Sequence, residues 1–484
     1  MAAEHSGAYN DVLYPSYLAR QCCPDQMSVM ARLKGLETLP PDRCRVLELG
    51  CGDGASLIAF GYASPDSEFM GVDLAARPVE NGNARIAALG LANVTLRAAD
   101  VMDVDASYGQ FDFIFAHGLF SWAPEPVRER ILEICRARLA PNGVAYLSYN
   151  AYPGGYQRMM LREMLLIHTR HVAEPAEKIR QTVGLMNFIR AAPIQESPYH
   201  QYIETIHQSR GKVPLEAMLY DELGSVNQQF FFHEFAGLAA RHGLQFVSEA
   251  TFDQTVPLLS PELRKSLNAI GGDVVTFEQY LDFLLGRSFR QTLLCHREVT
   301  LDRRRRLEPL ANLYFASPVK ALPGKETDRP GLRRFSGLHG RTAAASDPGA
   351  QRALEYLGAV WPAIVPFSEL AGVSGGDDAE VLGEHLLQLA QSNFLDLHSQ
   401  PFRLCRNISA KPFASALARH QIGERFQANL FCEAVLVKDP LGSQVLARLD
   451  GTRTREALAA ELGGSSEAVE QQVREIFELG LLEA

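Results

Sequence analysis

The first informative features are absences. No uninterrupted apolar run reaches the ~18 residues that a membrane-crossing helix needs. The opening MAAEHSGAYNDVLYP has no basic stretch followed by an apolar one, so it does not read as a secretion signal. A cytoplasmic protein with no membrane partner is expected. Positive charge is also short: 47 Lys and Arg stand against 57 Asp and Glu, a formal net charge of -10. Phosphate recognition needs clustered cations, so no nucleic-acid partner is expected. The dense basic run, Arg303 to Arg306, reads as a solvated helix face or linker, with a local anion site as the alternative. Among the eight cysteines there is no CxxC and no Cys/His cluster at zinc spacing. Cys22 and Cys23 are adjacent, while Cys44, Cys51, Cys135, Cys295, Cys405 and Cys432 are scattered. Reduced, mostly buried thiols and no metal site are expected.

What is present is a long globular chain of 484 residues, 46% hydrophobic and 21% charged, enough for several cores. From residue 44 to 150 strand-like and helix-like stretches alternate. The strands read Cys44–Leu49, Glu68–Val72, Val94–Ala98, Phe111–Ala116 and Gly143–Tyr149. The helices between them read Ala55–Tyr62, Pro78–Leu89 and Pro126–Leu139. Such alternation means βαβ units and a parallel, Rossmann-like α/β sheet. Residues 155–225 turn helical and read as an insertion, with FFFHEFAGLAARHGL and QFVSEATF returning to the sheet as helix and strand. The expected domains are a core at 1–260, a helical region with linker at 261–345, and winged-helix-like units at 346–430 and 431–484. Residues 260–300 read as helical and 316–349 as a Pro-, Gly-, Arg- and Ser-rich linker.

The chemistry concentrates in RVLELGCGDG, Arg45 to Gly54. An apolar strand reaches Glu48 and then Gly50, Cys51, Gly52 and Gly54 before a helix. Glycine permits positive φ and removes side-chain bulk, so the turn can lie flat against a ligand beneath a helix N-terminus. The spacing is GxGxG, not the dinucleotide GxGxxG. It resembles the first motif of class I methyltransferases, whose loop holds the methionine part of S-adenosylmethionine. Asp73 ends the second strand 19 residues after Gly54, where a carboxylate can accept both ribose hydroxyls. Leu74 follows it. Asp100 ends the third strand; the resemblance implies that it meets the adenine amino group, with Val101 against the ring. Each acid by itself is equally a helix cap or loop residue.

The fourth strand runs into FIFAHGLFSWAP and the fifth into YLSYNAYPGGY. Both lie at carboxyl ends of strands, where ligands bind in open α/β sheets. Phe120, Trp122, Tyr149 and Tyr152 are candidate walls for a cationic cofactor and an amine substrate, because aromatic faces attract cations. The alternative is that they pack the insertion onto the sheet.

At these residues the sequence is similar to bacterial, rickettsial-type protein lysine methyltransferases, which methylate outer-membrane proteins. In that family a class I methyltransferase core is followed by a methyltransferase regulatory domain. The matching stretches are Tyr14-Pro15, ELGCGDG, His117-Gly118 with Ser121-Trp122, Ser148-Tyr149-Asn150 before Tyr152-Pro153-Gly154, Asn227 with Phe231, Glu234 and Phe235, and Glu278 to Leu294. The resemblance covers about residues 10 to 300. Two departures stand out: Gly155 where a Trp is expected, and Gln21-Cys22-Cys23-Pro24 where a histidine is expected.

The resemblance implies S-adenosylmethionine as cofactor, with Tyr14 and His117 joining the glycine loop, Glu48, the two acids, Leu74 and Val101 around it. It also implies N-methylation of lysine in a protein substrate, such as an outer-membrane or surface protein before export, with homodimerisation left open. The attacking amine must be neutral. From an ordinary pKa near 10.4, deprotonation at pH 7 costs about 4.6 kcal/mol. Burial among aromatics beside a sulfonium lowers that cost. Tyr149, Asn150 and Tyr152 are expected to orient the amine, with Trp122 as a wall. His117 is either a proton acceptor or a strand-end histidine held by the backbone. A small-molecule N- or O-methyltransferase, or a non-catalytic cofactor-binding scaffold, is the alternative function.

Overall fold

The structure, a computed structural model, describes residues 13–15, 17–192, 197–210, 214–253, 259–304, 307–325, 329–375 and 379–484. Helix α1 (Pro24–Arg32) starts on a proline, whose fixed φ and missing N–H suit a first helical turn. Then follow β1 (Arg45–Leu49), α2 (Ala55–Ala63), β2 (Glu68–Asp73), α3 (Ala76–Leu89), β3 (Val94–Ala98), β4 (Phe111–Ala116), α4 (Glu125–Arg138) and β5 (Leu139–Ala151). All four pairings among these strands are parallel, in the order β3-β2-β1-β4-β5. Because β1 lies between β2 and β4, the order reverses there. The chain leaves β1 and β4 toward opposite sides, and a crevice opens at their carboxyl ends.

The insertion is helical, with α5 (Gly155–Thr169), α6 (Pro175–Arg190), α7 (Pro198–Arg210) and α8 (Met218–Asp221). It has its own small core of Leu161, Leu165, Met186, Ile203 and Met218. The chain returns through β6 (Gln229–Phe230), parallel to β5, then α9 (Phe232–Arg241), β7 (Leu244–Glu249), α10 (Pro261–Gly271), α11 (Val274–Leu285) and β8 (Phe289–His296). Strand β8 fits between β5 and β7, antiparallel to both, and completes an eight-stranded sheet.

This corrects the helical reading of residues 260–300. Helix α11 stops at Leu285 because Gly286 takes a left-handed φ of 59°, and Phe289–His296 is a buried strand. The sheet therefore closes at His296 rather than by residue 260. Alternate residues feed two cores. Val46, Phe113, Phe115, Val144 and Tyr146 face one side, and Leu47, Ile114, Ala145, Leu147 and Tyr149 face the other.

The expected linker is also structured. It carries β9 (Tyr314–Ala316), β10 (Lys320–Leu322), β11 (Arg333–Ser336) and β12 (Thr342–Ala345), followed by α12 (Pro348–Val360), β13 (Val365–Pro366), α13 (Phe367–Ser374), α14 (Ala379–Gln391) and β14 (Asp396–His398). Strand β9 pairs with both β13 and β14, and Leu310, Phe315 and Phe335 share one core with Leu354 and Leu386. Three helices on a three-stranded sheet form the winged-helix-like unit, but it begins near residue 308, not 346. Strands of three or four residues with two buried side chains at most carry too little periodicity to be seen in sequence.

The last part holds α15 (Ala416–His420), β15 (Gln427–Ala428), β16 (Ala434–Val435), α16 (Pro440–Leu446), α17 (Arg455–Leu462) and α18 (Ser466–Glu478). Leu417, Ala428 and Cys432 pack into the methyltransferase-side core, so residue 430 is not a packing boundary. Polar clamps add to this. The buried Asp25 of α1 holds His398 Nδ1 at 2.8 Å and accepts from the Ser399 hydroxyl at 2.9 Å. Arg20 pairs with Asp396 at 2.9 Å and with Glu433 at 2.7 Å. All eight cysteines are free thiols, and only Cys405 is less than buried. Among the described residues no helix is long and apolar enough to cross a membrane.

Candidate active site

The glycine loop leaves β1 at the crevice. Gly50 and Gly52 take φ of 77° and 55°, which a side chain would strain. No atom lies within 4 Å of where a Cβ on Gly52 would stand, so the loop presents bare backbone. Gly54 differs: a Cβ there would strike Leu96, so that glycine serves packing. Cys51 is buried with its Sγ beneath the loop, near the Gly52 carbonyl at 3.7 Å, so only its backbone faces the crevice.

Asp73 is tied to this loop. Its Oδ2 accepts from Gly52 N–H at 2.8 Å and its Oδ1 from Ala75 N–H at 2.9 Å. Burial raises its pKa, against those two backbone bonds. Beside it Glu48 is buried, and its Oε2 has no hydrogen-bond partner. Burial, then the Asp73 and Asp53 carboxylates, push the Glu48 pKa well up. A buried carboxylate atom without a partner implies an absent donor or cation. Asp100 caps the next turn through Met102 N–H at 2.9 Å, with Val101 buried behind it. Leu74 and Met102 are apolar yet 39% and 43% exposed, and they follow the two acids. An acid for a ribose, an acid for an amino group and apolar side chains for a flat ring fit an adenosine. The unpartnered Glu48 and the bare loop fit its cationic sulfonium end.

The fourth strand delivers His117. Its Nδ1 lies 2.9 Å from the Tyr146 hydroxyl, and Tyr17 stacks on its ring at 5.5 Å, 9° between planes. Burial lowers its pKa to about 4. This histidine is neutral at pH 7 and too weak a base to hold a proton taken from an ammonium. Gly118 follows with φ 67°, and its N–H donates to Ser148 Oγ at 2.8 Å.

The fifth strand separates two residues that sequence reasoning had grouped. Tyr149 is fully buried, stacked on Phe235 at 3.9 Å, its hydroxyl 3.1 Å from Thr292 Oγ1. It packs the core between the sheet and α9, with Phe120 beside it, and does not reach the crevice. Its assignment as a catalytic residue is corrected on that ground. Asn150, one residue on, is as fully buried but projects from the other face of the strand. Its Nδ2 donates to Asn227 Oδ1 at 2.9 Å. Asn227 is itself fixed, donating to the Asp221 carbonyl and accepting from Gln229 Nε2 at 2.8 Å. Asn150 Oδ1 is thus left as an acceptor, 3.5 Å from Arg158 Nη1. Arg158 lies over the Trp122 ring at 5.8 Å and pairs with Glu222 at 3.2 Å. Tyr152 precedes a cis proline and stacks on Tyr156 at 4.1 Å. Tyr14 reaches Asp221 at 3.4 Å, on the insertion side.

The fold thus brings together Glu48, Gly50, Gly52, Asp73 and Asp100 at consecutive strand ends, with His117 and Asn150 at the next two. Sequence reasoning did not assign roles to Asn227, Arg158, Ser148 or Tyr17. Asn227 was visible as a motif residue; Arg158 and Tyr17 carried no signal, because tertiary contacts alone place them.

Known protein families match two regions of this chain. A methyltransferase domain matches residues 46–143, and the domain described as "Predicted methyltransferase regulatory domain" matches residues 216–296. The second match contains β6, α9, β7, α11 and β8, so here that region supplies three strands of the catalytic sheet. An uncharacterized protein of Rickettsia prowazekii is 33% identical over 331 residues, 67% of this chain and 59% of the relative. A second from the same organism is 32% identical over 229 residues, 47% of this chain and 92% of the relative. The structure of PKMT2 from Rickettsia typhi in complex with AdoHcy superposes with a TM-score of 0.85 at 23% identity, covering 97% of this chain and 99% of that one, a likeness of fold. With the cofactor loop, both acids and the regulatory region in place, the chain belongs to the rickettsial-type class I S-adenosylmethionine-dependent methyltransferases.

Proposed function

We propose that this protein N-methylates lysine side chains of a protein substrate. The observation that carries the acceptor is the Asn150 carbonyl. Its amide half is committed to Asn227, so Oδ1 is the fixed acceptor at the carboxyl end of β5. An acceptor there orients an incoming N–H and leaves the amine lone pair directed at the cofactor loop. Trp122 supplies an aromatic wall, which lowers the cost of neutralising the amine by excluding water. S-adenosylmethionine, when bound, supplies an electrophilic methyl group. The chain's own residues hold and orient: Asp73 the ribose, the Gly50–Gly52 backbone and Glu48 the charged end, Asn150 the acceptor. With His117 held neutral by burial, the amine proton is lost to solvent.

A protein acceptor is supported by the polar clamps between the winged-helix-like units and the catalytic domain. The whole-length likeness to PKMT2 supports the same reading. A surface protein held in the cytoplasm before export is the proposed substrate, and a homodimer remains part of the proposal.

The test is incubation of the full chain with isotopically labelled S-adenosylmethionine and lysate from cells lacking it, followed by mass spectrometry. Label on protein lysines is expected; label confined to metabolites overturns the reading. Asn150→Ala should cut lysine methylation about 10- to 100-fold, the value of one hydrogen bond to a charge-developing group. Its affinity for S-adenosylhomocysteine should stay within about threefold, since Asn150 faces the acceptor.

A further inference from the structure

A second cavity, of about 410 Å³, lies away from the cofactor loop. Its walls come from α1, β7 and α11, with Leu387 of α14 closing one side, so it joins the catalytic sheet to the middle unit. Most of the lining is apolar: Met30, Leu33, Phe246, Phe277 and Leu281. A volume near 400 Å³ is ordinary for a small-molecule site.

The charges in it do not cancel. The lining carboxylates are already committed to cations: Glu249 and Glu278 pair with Arg290 at 2.8 and 3.0 Å, and Asp253 pairs with Arg287. Arg304 pairs with Asp302 at 2.6 Å. Lys34 makes no ion pair among the described residues. Arg303 donates to the backbone carbonyls of Val247, at 2.8 Å, and of Phe246, neither of which neutralises it. Burial, and then the Arg303 charge, lower the Lys34 pKa against the smaller opposing pull of Glu278, so the two cations share one poorly hydrated place. The third polar group is Ser248, 6% exposed, whose hydroxyl has no hydrogen-bond partner. A buried hydroxyl without a partner, in the same apolar wall as an ammonium without an ion pair, suits an anionic acceptor.

We propose that this cavity binds a small amphipathic carboxylate, its head between Lys34, Arg303 and Ser248 and its apolar body against Phe246, Phe277 and Leu281. The occupant bridges α1 to α11 and α14. Much of the wall lies within the region that matches the regulatory domain. The Arg303 end of the basic run thus takes the anion-site role, while Arg305 and Arg306 lie outside the described residues.

The test is calorimetry of the full chain with octanoate, octanol and inorganic phosphate as probes. Octanoate should bind one per chain, with octanol and phosphate each at least about tenfold weaker, since one lacks the charge and the other the apolar body. Lys34→Met should weaken octanoate at least about tenfold, and Lys34→Arg should retain it. Ser248→Ala, which removes only the hydroxyl, should weaken it about threefold or more with an unchanged melting temperature. Absence of octanoate binding, equal affinity for phosphate, or octanoate affinity indifferent to both Lys34→Met and Ser248→Ala overturns the proposal. The readout requires no methyl transfer, so it stands apart from the substrate reading.

Discussion

Asp73→Asn is the sharpest perturbation of the cofactor site, because it changes one atom and its geometry is fully specified. Both carboxylate oxygens already accept a backbone N–H, from Gly52 at 2.8 Å and Ala75 at 2.9 Å. A carboxylate has about four lone-pair sites, so two remain for the ribose hydroxyls. An asparagine has one carbonyl oxygen, and its NH2 must face one of the two backbone donors. It can keep one loop bond and one hydroxyl bond at most. Losing one charge-assisted bond and loosening the loop costs about 2–4 kcal/mol, or about 30- to 1000-fold in affinity. The assay is calorimetric titration of S-adenosylhomocysteine into both proteins, repeated with a 2′,3′-dideoxy analogue. The substitution should cost the analogue much less, because it has no ribose hydroxyls to lose. A drop under about threefold for the natural ligand, or an equal drop for both ligands, would falsify the ribose assignment. The pH dependence gives a second check. Burial raises the Asp73 pKa, and the ionised form is the acceptor, so affinity should fall as pH drops through that raised value. The Asn variant should lack that limb.

Other perturbations test the scaffold around it. Arg290 is fully buried, bonded to Asp282, Glu249 and Glu278, with Phe232 at 3.9 Å. Arg290→Met removes the cation that three carboxylates share, leaving only Asp282 an ion pair among the described residues, to Arg287 at 2.7 Å, and should cost about 3–5 kcal/mol in urea unfolding; a loss below 1 kcal/mol would show that solvent reaches the cluster. His117 has a folded pKa of about 4, below its unfolded value. Protons then bind the unfolded state first, so stability should fall as pH drops from about 6.5 to about 4, and His117→Gln should flatten that slope. The same value means the pH–rate profile should show no histidine limb near neutrality; a limb at pH 6–7 removed by His117→Gln would make it the base after all. Tyr149→Phe removes only the contact to Thr292, so it should cost about 1 kcal/mol in stability and leave turnover within twofold. A large loss of turnover with intact folding would return Tyr149 to the active site.

The cofactor half of the site was legible because its signals are local. The glycine turn of Arg45 to Gly54 and the acids at the ends of β2 and β3 follow from residues adjacent in sequence, and their strands are apolar runs bounded by turns. The acceptor half was not legible in the same way. Asn227 reaches Asn150 from 77 residues away, and Arg158 reaches it from the insertion.

By itself the sequence determined the βαβ order, the loop that grips the nucleoside and the helical character of the insertion, since each rests on backbone preference or short-range periodicity. Tertiary structure alone decided which of Tyr149 and Asn150 packs into the core beneath α9. Side chains alternate along a strand, and only the covering helix α9, with Phe235 stacked on Tyr149, fixes which face is core. It likewise decided that Phe289–His296 is a strand. That apolar stretch fits either structure locally, and the open hydrogen-bonding edges of β5 and β7 draw it into the sheet.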